Sequence, residues 1–298
     1  MDYFLRVPVG REIDYWIDFA SSSLEHAKER FDRCIVDFQS NKFLETDDLV
    51  ILASVIEYFH IYGSEISFIN DSGKLYSYLK TIKFINFWES DYNRNNFLIP
   101  YRSSTVTLWK INPEHTFSYK ERLQDFLKKR FLNDKIDLTS LGSNVEEVFN
   151  NIFDHSESKV NGFILGQYFP NKKRFSFSVC DLGVGIPFRV NKYNLANNLH
   201  EIKDEHAVYS ALEIGFTTKS TERNRGFGLN NLLEMTESSN GELRVISNKG
   251  CVIKEADEPF FLHNFGNNFL HGTLIRVDID VNTFDEIDLS DEIMNFNF

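Results

Sequence analysis

Residues 144–155 read Asn-Val-Glu-Glu-Val-Phe-Asn-Asn-Ile-Phe-Asp-His. At 100° per residue, Val145, Val148, Phe149, Ile152 and Phe153 form one apolar stripe, and Glu147, Asn150, Asn151 and Asp154 gather opposite it. Glu147 and Asn151 lie one turn apart, so a carboxylate and a carboxamide address the same volume. No Lys or Arg interrupts this polar arc. Hard oxygen donors of this kind suit Mg²⁺ and the orientation of a water molecule. The same pattern also describes an amphipathic helix with a solvated polar face, and the segments downstream bear on the choice.

Residues 175–181 alternate, with Phe175, Phe177 and Val179 on one face and Ser176, Ser178 and Cys180 on the other, as in a strand. That strand runs into Asp181-Leu182-Gly183-Val184-Gly185-Ile186-Pro187. An Asp at a strand end can accept a hydrogen bond from an exocyclic amine, and Gly183 and Gly185 let backbone approach a flat ring. Such a segment is also a common way to turn a strand. A third segment reads Arg225-Gly226-Phe227-Gly228-Leu229-Asn230-Asn231-Leu232-Leu233. Glycines that open a helix gather free N–H groups and the positive helix end at one point, which suits a phosphate. Alternatively, such a loop only caps its helix.

In this order, the three segments closely resemble the ATP-binding fold shared by DNA gyrase, heat-shock chaperone ATPases, histidine kinases and mismatch-repair ATPases. This is the GHKL superfamily, with its Bergerat fold. Residues 147–151 match its N box, 181–185 its G1 box and 226–228 its G2 box, and the resemblance spans roughly 118–280. It implies ATP and Mg²⁺ as ligands. Asn151 would hold Mg²⁺ on the phosphates, and Glu147 would orient or deprotonate the attacking water. Asp181 would bind the adenine amine, with Gly183 and Gly185 beside the ring. Gly226, Gly228 and the adjoining Leu229 would cradle the phosphates. Asp154 matches an acid near the base edge in several members, and Thr273 a threonine often found near the adenine; an ordinary strand threonine reads the same way. Residues 188–224 form a long insert that would close over the ligand. Its Gly215–Thr221 stretch resembles the family's lid entry, where Lys219 would reach the γ-phosphate or remain a solvated lysine. No Walker A sequence occurs, which excludes a P-loop enzyme.

Around this segment, 298 residues suffice for two domains. Residues 116–298 read as a two-layer α/β sandwich, helix first and then a mostly antiparallel sheet. Residues 1–115 read as a smaller α/β domain, with a boundary near Trp109–Pro113. In that part, helices are expected around Tyr15, Trp16, Phe19 and Leu24, from an N-cap at Thr46 or Asp47 to Gly63, and over Leu75–Lys83. Strands are expected at Glu65–Ile69 and Phe97–Pro100. The unit loosely resembles the sulfate-transporter/anti-sigma-antagonist fold. Later strands are expected at Gly162–Phe169, Leu243–Ser247, Cys251–Lys254, Pro259–Leu262 and Thr273–Ile279.

The net charge of −12 argues against a broad nucleic-acid surface, and acids from Asp278 to Glu292 make an acidic tail. Cys34, Cys180 and Cys251 form no CxxC pair, which excludes a disulfide framework and the usual zinc spacings. No signal peptide and no apolar run of membrane length occurs, so a cytoplasmic protein is expected. The resemblance implies a slow ATPase acting as a nucleotide-dependent switch, with a protein partner met through residues 1–115 or the lid; a homodimer is left open. The alternatives are a kinase acting on a separate protein and a non-catalytic ATP sensor. Autophosphorylation is disfavoured: His26 is followed by Ala27, not an acid, and His200-Glu201 lies in the insert.

Overall fold

The computed structural model describes residues 1–10, 12–70, 73–94, 104–131, 136–155, 157–213 and 228–286, with the side chains of Asp154 and His155 outside that description. The chain is mixed α/β. Strands β1 (Asp2–Arg6), β2 (Arg33–Asp37) and β3 (Glu65–Ile69) make a three-stranded parallel sheet in the order 1-2-3. Helices α1 (Ile13–Ala27) and α2 (Thr46–Ile61) are its crossovers, and α3 (Gly73–Thr81) follows β3. Consecutive right-handed crossovers put both helices on one face. β1 and β2 escape the sequence reading because each is five residues long and carries charged ends.

The second sheet is antiparallel throughout and has seven strands: β4 (Trp109–Lys110), β5 (Phe163–Phe169), β6 (Arg174–Asp181), β7 (Glu242–Asn248), β8 (Gly250–Glu255), β9 (Phe261–Asn264) and β10 (Leu270–Asp280). Their spatial order is β4-β5-β6-β10-β7-β8-β9. The strands read from the sequence therefore form, with β9 starting two residues later than expected. The strand expected at Phe97–Pro100 lies outside the described residues, as do the tail acids beyond Glu286.

One face of this sheet presents Phe175, Phe177, Val179, Val245, Ile275 and Val277 to helices α4 (Thr116–Phe131), α5 (Thr139–His155) and α8 (Gly228–Ser238). Its other face is equally buried. There Ser176, Ser178, Cys180 and Leu274 meet α2, Ile246 joins the same cluster, and one core runs from the small sheet through α2 into the large one. Thr46 Oγ1 lies 2.8 Å from Ser178 Oγ, and Ser54 Oγ donates to the Cys180 carbonyl at 3.2 Å. Helix α2 is apolar on every side because it lies between two sheets; Leu49, Val50, Ile51, Leu52, Val55 and Ile56 are all fully buried. The start of this helix also differs from expectation. Glu45 is the N-cap and forms a capping box with Asp48, while Thr46 and Asp47 turn toward the large sheet.

Charged groups join the two parts as well. Arg276, on β10, donates to Asp47 at 2.7 Å and to Glu45 at 2.5 Å. Buried Glu57 accepts from Trp88, Arg94 and Lys110 at 2.8–3.2 Å. The expected boundary near residue 115 thus does not coincide with a gap in packing: β4 already pairs with β5, and Thr105 bridges Gln167.

Over its described residues, 188–213, the long insert is mostly helical rather than an open loop. α6 (Ile186–Ala196) and α7 (Asp204–Leu212) pack at the β7–β9 side of the sheet, where Val208 and Leu212 join the core. Asn264 donates to Glu205, and the Lys249 N–H donates to Asp204 at 3.0 Å.

Candidate functional site

Helix α5 lays Val145, Val148, Phe149 and Ile152 into the core, leaving Glu147 and Asn151 half-buried on its other side and Asn150 exposed. Glu147 meets the first residue of α8. A Cβ built on Gly228 would lie 2.3 Å from Glu147 Cγ and 2.6 Å from Oε1, so the approach admits only hydrogen at that carbon. Glu147 and Gly228 are therefore in contact, although 80 residues separate them in sequence. The N-terminal end of α8 carries the unpaired N–H groups and partial positive charge of any helix start, here beside a carboxylate. Leu229 is half-buried and packs against the same core. Farther along, the Asn144 amide donates to Met235 Sδ at 3.3 Å and fixes the pair of helices.

Asp181 ends β6 on the helical face of the sheet. It stands opposite Thr273 on β10, and Thr273 stands opposite Ser247 on β7. Asp181 is 4% exposed. The backbone N–H groups of Gly183 and Thr273 lie near its carboxylate, and Oδ1 has no hydrogen-bond partner. Burial pushes its pKa up to about 7, against the downward pull of those two N–H groups. An acceptor held at the end of a strand with one oxygen unsatisfied is costly unless something donates to it.

The backbone around Asp181 is tight. Gly272 has φ +127°, and a Cβ there would lie 2.1 Å from the Asp181 carbonyl oxygen and 2.7 Å from the Gly183 nitrogen. Gly183 is half-exposed, and Gly185 supplies the start of α6. The Ser158 hydroxyl donates to the Leu182 carbonyl at 2.9 Å, which ties the segment after α5 to the segment after β6. Glu147, Asp181 and Gly228 thus belong to the helical side of one sheet.

Two contributors were not anticipated. Ser247 Oγ accepts the Ile186 N–H at 2.8 Å, and the Asn248 amide donates to the Val184 carbonyl at 3.3 Å. The sequence does carry a trace of Ser247: it breaks the apolar alternation of Leu243 and Val245, both buried on the same face. Of the remaining expected residues, Lys219 and Gly226 lie outside the described residues, as does the Asp154 side chain. Among the described residues, no group of three or more His, Cys, Asp or Glu side chains could hold a metal ion. Half-buried Asn151 is compatible with a different mode, in which an ion keeps its waters and takes most ligands from substrate phosphates. No helix among the described residues is long and apolar enough to cross a membrane. The sequence matches no family model, and no curated protein matches it significantly.

Proposed function

We propose that this chain binds ATP with Mg²⁺ as a GHKL-type protein and hydrolyses it slowly, as a nucleotide-dependent regulatory switch. The observation that carries the reading is the buried, unpartnered Oδ1 of Asp181 beside backbone that only glycine permits. An exocyclic amine would satisfy that oxygen, and a flat base is the ligand that brings one into so narrow a place. Glycine at position 228 supports the second half of the reading, because it brings the start of α8 against Glu147. Phosphate charge would be stabilised at that helix start.

Hydrolysis would proceed by attack of water on the γ-phosphorus, with cleavage of the bond to the β,γ-bridging oxygen and departure of ADP. Glu147 would orient the water and accept its proton. Asn151 would hold Mg²⁺, which neutralises phosphate charge when bound. Asp181 and the glycine-bordered turn would fix the base, so that the phosphates reach α8 in register.

The test follows γ-labelled ATP with the purified chain and cell lysate. Free phosphate released by the parent chain and abolished in Glu147→Ala, with ATP binding retained, is the expected result. Label transferred to a discrete protein band would replace hydrolysis with phosphotransfer to a partner. Failure of the parent chain to bind ATP would remove the reading.

A further inference from the structure

Asp181, Thr273 and Ser247 form a row across β6, β10 and β7, and the protons in this row can be counted. A serine hydroxyl has one proton and two lone pairs. Ser247 Oγ lies 2.7 Å from the Gly272 carbonyl, which can only accept, so the serine proton goes there. The Ile186 N–H, an otherwise orphaned group in the first turn of α6, takes one lone pair at 2.8 Å. The third contact is Thr273 Oγ1 at 3.0 Å. With the serine proton committed, the threonine hydroxyl must be the donor and Ser247 the acceptor. Thr273 is half-exposed, and its hydroxyl therefore shows only lone pairs to anything bound beside it. Next to it stands the unpartnered oxygen of Asp181. The geometry of Gly185 preserves this arrangement: its φ is +79°, and a Cβ there would sit 2.8 Å from Ser247 Oγ and 2.6 Å from Asn248 Oδ1.

We infer that Ser247 is a specificity-positioning residue: by holding the Thr273 hydroxyl as an acceptor beside Asp181, it restricts the site to a base edge bearing an amine. The inference rests on the nucleotide reading above and adds a discriminating element to it. A base with a carbonyl in place of the amine would set oxygen against oxygen at Thr273 and, above about pH 7 where Asp181 is ionised, at Asp181 as well. In a low-dielectric site, unpaired acceptors facing each other are rejected far more strongly than a lost contact alone would suggest. Without Ser247, the threonine hydroxyl is free to rotate and donate, and a carbonyl becomes acceptable.

Equilibrium binding of ATP and of inosine triphosphate to the full chain, both with Mg²⁺, tests this. Inosine carries a carbonyl in place of the amine, and its neighbouring ring nitrogen bears a proton that the adenine nitrogen lacks. The parent chain should prefer ATP by about tenfold or more. In Ser247→Ala, the ratio should fall to within about twofold, through weaker ATP and stronger inosine triphosphate binding. Thr273→Val keeps the shape of the side chain and removes the hydroxyl; it should also shrink the ratio, through ATP alone, and it decides the matter if Ser247→Ala does not fold. Equal weakening of both nucleotides by Ser247→Ala, or an unchanged ratio in Thr273→Val, would overturn the inference and leave ATP binding intact. If the parent chain binds neither nucleotide, the nucleotide reading falls and this inference falls with it.

Discussion

Asp181 has consequences at the level of a single titrating group. Its pKa is about 7 in the folded chain and near 3.9 when unfolded, so the folded state holds an extra proton between those values. Stability contributed by the protonated form is complete below pH 4 and lost as pH rises through 7. Asp181→Asn should therefore flatten the pH dependence of urea unfolding and stabilise the chain at pH 8 by up to about 4 kcal/mol, with little effect at pH 4. ATP binding should run the other way. Amine donors favour the ionised carboxylate, so affinity should decline as pH falls below about 7, and binding near neutrality should release a proton. Calorimetry in buffers of different ionisation enthalpy would detect that release, and pH-independent binding would contradict the assigned role.

At the scale of elements, the contact of α5 with α8 is the most constrained feature. Gly228→Ala places a methyl group against Glu147 Cγ, and the two helices must separate or the glutamate must turn away. The expected cost is about 1–3 kcal/mol, in the range of other overpacked interiors. Glu147→Ala removes the obstructing atoms, so adding Gly228→Ala to it should cost much less. A double-mutant cycle by urea unfolding measures the difference, and additive effects would show that the helices do not meet as described.

Across the whole molecule, the large sheet is buried on both faces, and residues 1–94 supply one of the covers. Arg276 sits where the two parts meet, against buried Asp47. Removing its charge leaves Asp47 only the longer pair with Arg244 at 3.6 Å, and Arg276→Met should destabilise the full chain by about 1–3 kcal/mol. A fragment beginning at residue 104 would expose Phe163, Leu165, Cys180, Ile246 and Leu274, all buried against the N-terminal part. Such a fragment should aggregate or lose cooperative unfolding. A soluble, cooperatively folding fragment would mean that the shared core is dispensable.

The local elements follow from periodicity that needs no tertiary partner. Phe175, Phe177 and Val179 alternate whatever covers them, and Val145, Val148, Phe149 and Ile152 recur at helical spacing, so β6 and α5 are legible in the chain itself. The same holds for the candidate residues Glu147, Asn151, Asp181 and Gly228, which are recognisable by type and spacing. Burial of the serine face of β6 is not legible. Ser176 and Ser178 look solvent-facing until Thr46 and Ser54 of α2 arrive to satisfy that face. Helix α2 offers the one hint, since an apolar run without a polar side implies cover all round. Ser247 and Asn248 join the candidate site only because antiparallel pairing of β7, β10 and β6 sets them beside residues 61 to 64 positions earlier. Periodicity is a property of neighbouring residues and survives in the sequence. Cover and convergence depend on pairing between distant segments, and only the folded chain supplies it.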